Sequence, residues 1–327
     1  MKKYKILSIL CVFILSIYFC VCMIAGCSEP PHTDENDTPK IFSEDFIYEL
    51  SNDESYFIIT GLGTYSNQEL VIPNEFRNKP VKEISKNAFY SCSLFTSAII
   101  PDSINKIGEA SFYNCDNLLS ITIGSGVETI DNGAFADCKL LRIISVSNDN
   151  LSFKSMEGNL YSKDEKKLIQ YANGKADMAF VIPNNVTNVG AYAFFGCTKL
   201  THLTIGANVE AISPYAFANC VGLEGVVFND KLNTIGPHSF YNCPGLTEII
   251  LPNSLERIYF FAFQKCVRLE KIVFDISNSW YRTQNEKEFK NKEAGIVVDI
   301  TNPSLNANYL ESTYTSYFWY KKTTNDA

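Results

Sequence analysis

Apolar positions along the chain recur in a fixed phrase. Leu118-x-x-Ile121-x-Ile123 returns as Leu200-x-x-Leu203-x-Ile205, Leu223-x-x-Val226-x-Phe228, Leu246-x-x-Ile249-x-Leu251 and Leu269-x-x-Ile272-x-Phe274. Alternation of period two predicts a short strand with every second residue in the core. A second apolar pair follows each strand, as in Ile104/Ile107, Val127/Ile130, Val209/Ile212, Leu232/Ile235 and Leu255/Ile258, with mostly polar residues between the two members. This predicts a second extended segment, ended by a turn that often carries glycine (Gly108, Gly190, Gly236). A short helical turn comes next and bears Phe89, Phe112, Phe135, Phe194, Phe217, Phe240 and Phe263.

Three residues after each of these phenylalanines stands a cysteine: Cys92, Cys115, Cys138, Cys197, Cys220, Cys243 and Cys266. Five of the six gaps between them are 23 residues and the remaining one is 59. A constant period in this range signals a solenoid, in which each repeat buries its apolar face on the next. Phe and Cys then face one interior as a large rung and a small one. The residue before Cys is often one that tolerates a left-handed backbone (Asn114, Asp137, Gly196, Asn219, Asn242). A straight row without interleaved His does not offer zinc its tetrahedral ligands. Buried free thiols are the simplest reading, and disulfides between neighbouring coils stay geometrically open.

The long gap holds an insert, residues 147–179, in which "GNLYSKDEKKLIQY" reads as a β-hairpin around a charged turn. Such an insert is either a binding feature or a spacer. The first unit carries the strand Leu70-x-Ile72 and an expanded loop. Beyond Phe274 the period is lost, and the aromatic, irregular stretch 277–327 reads as a cap over the open apolar end. The expected domains are 1–26, 27–50, a repeat domain over 51–276 and the cap.

"IIPDSINKIGEASFYNC" (99–115), "FVIPNNVTNVGAYAFFGC" (180–197) and "ILPNSLERIYFFAFQKC" (250–266) resemble the leucine-rich repeats of BspA-like bacterial surface proteins. The resemblance covers residues 56–274 and implies a leucine-rich-repeat solenoid on a cell surface. It further implies a protein ligand, a host matrix protein or another bacterium's surface protein, since some family members are adhesins. It carries no binding residue over to this chain, so function rests on analogy of fold. A structural or periplasm-facing envelope protein without an external ligand is the other reading.

The N-terminus bears on location. "MKKYK" followed by about 20 uncharged apolar residues reads as a secretory signal or a membrane anchor. Ile24-Ala25-Gly26-Cys27 resembles the lipobox of bacterial lipoproteins, which implies acylation of Cys27 and a lipid anchor in the cell envelope. Ser28 in place of the Asp that retains some lipoproteins at the inner membrane points to the outer membrane surface. The acidic, proline-containing stretch after Cys27 reads as a flexible tether.

The chain carries 28 basic against 36 acidic residues, a net charge of −8, and loss of residues 1–26 removes only three lysines. That balance argues against nucleic acid as a partner. No Ser-His-Asp order, HExxH or phosphate loop appears, and the three His (32, 202, 238) are scattered, so neither an enzyme, a cofactor nor a metal is expected. The candidate partner surface is the outward strand face: His202, Thr204, Val227, Glu248, Ile250, Lys271 and Val273, with Val227, Ile250 and Val273 as adjacent apolar members. β-Branched residues favour strands whatever they face, which is the plainer explanation of the same residues.

Overall fold

The computed structural model describes residues 41–42, 45–293 and 295–322. Cys27 and most of the expected tether lie outside them. The chain divides into two compact units, the first reaching Leu141 and including Val146–Leu151, the second made of Arg142–Ser145 and the residues from Ser152 onward.

The first unit is closed at its start by antiparallel strands. Ile41–Phe42 pairs with Phe46–Leu50, and that strand pairs with Phe57–Leu62. The sequence reading places residues 46–50 in the tether. They are a buried part of the fold, with Phe46, Ile47 and Tyr48 in the core and the Tyr48 ring stacked on Phe76. From Phe57–Leu62 the sheet turns parallel through Lys79–Ile84, Lys106–Ile107 and Thr129–Ile130. The predicted strands Glu69–Val71, Ser97–Ile100 and Ser120–Ile123 form a second parallel sheet. Phe89, Phe112 and Phe135 follow one another with ring centroids 5.0 and 5.6 Å apart.

The second unit repeats this plan. One parallel sheet contains Ala179–Val181, His202–Thr204 and Gly225–Val227, and another contains Glu248–Ile250 and Lys271–Val273. The second extended segments, Asn188–Val189, Ala211–Ile212, Thr234–Ile235 and Arg257–Ile258, pair in parallel with one another. Phe194, Phe217, Phe240 and Phe263 stack at 4.9, 5.1 and 5.4 Å. Each cysteine from Cys220 to Cys266 is buried, and its thiol donates to the carbonyl of the phenylalanine one coil earlier: Cys220 to Phe194, Cys243 to Phe217 and Cys266 to Phe240. All seven repeat cysteines are free thiols. The small rung therefore ties its own coil to the one before it.

Two turn positions in each repeat work through the backbone, and the sequence predicts only the one before Cys. The residue before Cys has positive φ in every repeat: Ser91, Asn114, Asp137, Gly196, Asn219, Asn242 and Lys265. So does the residue two before Phe. Amides in this segment then point along the stack, and Phe194, Phe217 and Phe240 N–H donate to Ala216, Ser239 and Ala262 C=O. The coils approach closely enough to forbid side chains in places. A Cβ on Gly206 would sit 2.3 Å from the Ile182 carbonyl oxygen.

The inserted stretch contributes more than a hairpin. Phe153–Met156, Asn159–Ser162 and Lys167–Gln170 form an antiparallel meander, and Lys167–Gln170 then pairs in parallel with Asn188–Val189. Tyr171 stacks on Phe194 at 4.8 Å and 18°, and so serves as a large rung in a coil that lacks the Phe-x-x-Cys phrase. Residues 167–182 are thus a divergent coil with a hairpin ahead of it, not a loop laid on the surface.

The C-terminal segment closes the second unit on two fronts. Phe318–Lys322 pairs antiparallel with Arg257–Ile258, and Ser279–Thr283 and Ile296–Val298 extend that sheet. The short helix Pro303–Asn308 starts at Asn302, whose side chain accepts from the Ser304 and Leu305 amides. It covers Lys271–Val273 and sends the buried Asn306 amide to the carbonyls of Ile272 (3.0 Å) and Ile300 (2.9 Å). Trp280 and Trp319 are buried against Phe274.

Candidate functional site

Strand pleating decides what each coil offers on its outward strand face. In the second unit Phe180, Leu203, Ile249 and Ile272 point into the core, which turns residues one position away outward. Val181, Val227 and Ile250 are 63%, 62% and 64% exposed, while Thr204 and Val273 are half-buried. Val181, Thr204 and Val227 stand opposite one another in register across three strands. Ile250 faces Val273 in the two-stranded sheet.

The polar candidates flank this row. His202, Glu248 and Lys271 are exposed, and Glu248 stands opposite Lys271. His202 Nδ1 lies 3.0 Å from the Thr201 hydroxyl, and its ring lies over Gly225, where a Cβ would meet it at 3.4 Å. The seven predicted residues therefore fall in two groups. His202, Thr204 and Val227 share one sheet, and Glu248, Ile250, Lys271 and Val273 share the other.

Val181 is absent from the sequence-based candidates because its coil has no cysteine to set the phase of the outward positions. The pattern Phe180-x-Ile182 was the signal that held it. A second missed feature lies on the turn side, two residues before each Phe. Tyr192 and Tyr215 stack at 4.9 Å and 7°, Tyr215 and His238 at 4.5 Å and 5°, and His238 meets Phe261 at 4.9 Å. All four have left-handed backbones, φ 62, 57, 54 and 57, where the first unit has Asn87, Ala110 and Gly133. Bulky side chains are rarely held there, so the stack offsets a local backbone cost. The Cys phase gave this row no label, and its residue types vary from coil to coil.

Chemistry is sparse. Among the described residues no group of three or more His, Cys, Asp or Glu is placed to hold a metal ion. Burial pushes the Cys197 thiol up to about 11, and burial likewise raises Cys115, Cys220 and Cys243, so none is poised as a thiolate nucleophile. What the face offers is a ribbon of apolar groups with charged residues beside it.

The BspA type leucine rich repeat region matches this chain in six copies, over residues 64–168 and 170–292. The chain belongs to that family. Among solved structures it is similar to a leucine rich cell surface protein of Faecalibacterium prausnitzii A2-165, at 21% identity over 73% of this chain and 89% of that one, with a TM-score of 0.44. It is also similar to the pneumococcal vaccine antigen PcpA (19% identity, 72% and 81% coverage, TM-score 0.42). A third is the leucine rich repeat protein of T. pallidum (22% identity, 64% and 91% coverage, TM-score 0.42). No curated protein matches the sequence. Within the BspA-type family the repeated phrase builds the scaffold, so the outward residues carry whatever is particular to this chain.

Proposed function

We propose that this BspA-type repeat protein is a lipid-anchored cell-surface protein that binds a protein partner through the strand face of its second unit. The observation that carries the reading is the exposure of Val227 and Ile250 on consecutive coils, with exposed Val181 two coils before Val227 in the same row. Contiguous exposed apolar surface with a polar rim is the usual mark of a protein interface. Adhesion to a host matrix protein or to another bacterium fits a family of surface repeat proteins. The Ile24-Ala25-Gly26-Cys27 sequence supports acylation of Cys27 as the means of attachment.

The test uses purified protein against immobilised matrix proteins and intact bacterial cells. Binding by the native chain that is lost in V227K/I250K, with an unchanged circular dichroism spectrum, supports the strand face. Equal binding by native and variant chains overturns it. Protease treatment of intact cells addresses location separately, since a surface protein is cleaved and a periplasmic one is protected. Labelled fatty acid incorporated by the native chain and not by Cys27→Ser supports the anchor.

A further inference from the structure

The coils that begin at Cys220 and Cys243 are joined on two sides and open on the third. On one side Thr234 and Ile235 pair with Arg257 and Ile258, and the Tyr259 amide donates to the Ile235 carbonyl at 2.9 Å. On the turn side His238, Phe240 and Asn242 N–H donate to Phe260, Ala262 and Gln264 C=O at 3.2, 2.8 and 2.8 Å. On the strand side Gly225–Val227 and Glu248–Ile250 belong to separate sheets.

The bonds absent from the open side are present on the coils around it. Glu224 N–H donates to Thr201 C=O, and Glu270 N–H to Thr247 C=O, at 2.8 and 2.9 Å. Ile205 N–H reaches Val227 C=O, and Leu251 N–H reaches Val273 C=O, at 2.8 and 2.9 Å. The matching donors at the split are Thr247 and Phe228, and among the described residues no such bond runs from them to Glu224 or Ile250. Val226 is left half-buried, although Leu203, Ile249 and Ile272 at the same position are buried.

The sequence supplies a cause. Asn229 stands where Leu251-Pro252 in the next coil and Ile182-Pro183 two coils back have proline, and where the preceding Ile205-Gly206 has glycine. Its side-chain amide donates to the Gly206 and Val209 carbonyls at 2.5 and 3.0 Å, and its oxygen accepts from the Lys231 and Leu232 amides. The end of the strand is thereby tied to the preceding coil.

We propose that this split is a hinge. The two coils flex about their paired sides, so the separation of Val227 from Ile250 varies while the remainder of the strand face keeps its spacing. This motion belongs to the free chain and does not depend on a partner.

Amide hydrogen exchange and nitrogen relaxation dispersion on the full chain test it together. Exchange at Thr247 and Phe228 is expected to be about 100-fold or more faster than at Glu224, Ile205 and Glu270, while Gly236, Phe240 and Tyr259 stay protected. Dispersion on the microsecond-to-millisecond timescale is expected at 226–228 and 247–250. Protection at Thr247 and Phe228 equal to that of their neighbours overturns the hinge. Fast exchange without dispersion, which describes a fixed gap, overturns it also, as does loss of protection on all three sides.

Discussion

The rings of Phe217 and Phe240 lie 5.1 Å apart and 15° from parallel, although 22 residues separate them along the chain. Their spacing is close to that of paired strands, so the aromatic column and the two sheets rise in step. Each ring is fully buried between its neighbours, which makes the column a continuous support for the second unit.

Truncating one rung leaves a void that rigid sheets on either side cannot fill. Phe217→Ala is expected to destabilise the chain by about 3–5 kcal/mol, measured by urea unfolding. A loss under about 1 kcal/mol would show that the column is not the core.

The thiol column makes a separate prediction. Each of the seven repeat cysteines is at or near zero exposure, and burial raises the thiol pKa of Cys115, Cys197, Cys220 and Cys243, so the seven are expected to resist a disulfide-exchange reagent at pH 8 in the folded chain. All seven should react once guanidinium unfolds it. Rapid reaction of two or more in the native state would mean that coils open at the thiol side.

Asn306 reports on the cap. Its side-chain amide donates to the Ile272 carbonyl in the strand Lys271–Val273 and to the Ile300 carbonyl just before the helix, and Asn306→Leu removes both donors. A loss of about 1–3 kcal/mol is expected, with early unfolding of the C-terminal end followed by tryptophan fluorescence. Unchanged fluorescence unfolding would remove the capping role.

His238 sits between the Tyr215 and Phe261 rings, and burial holds its imidazole below the ordinary value of 6.5. A folded-state value below the unfolded one favours the neutral form. The contribution is therefore complete above pH 6.5 and is lost as pH falls through the lower folded-state value. Thermal melts of the native chain should decline over that interval more than those of His238→Phe. Parallel pH profiles for the two chains would contradict this.

The repeat was legible because its core positions are chemically monotonous: a Phe, a Cys and paired aliphatics return every 23 residues and cannot face water together. Legibility failed where packing uses unexpected residues. Tyr171 serves as a rung without the phrase that announces one, and Phe46–Leu50 is a short strand beside acidic, polar sequence. The outward face was read in part, since Val227 and Ile250 follow from phase and Val181 does not. The split beside Val227 depends on where the Asn229 side chain finds its partners, and no periodic pattern records that.

The most direct test of in-phase stacking is an anomalous sulfur map from a crystal of this protein. The account predicts a row of three peaks for Cys92, Cys115 and Cys138 and a row of four for Cys197 to Cys266, each spaced by about 4.8 Å. Sulfur peaks gathered around a common ion, or scattered without a row, would contradict it.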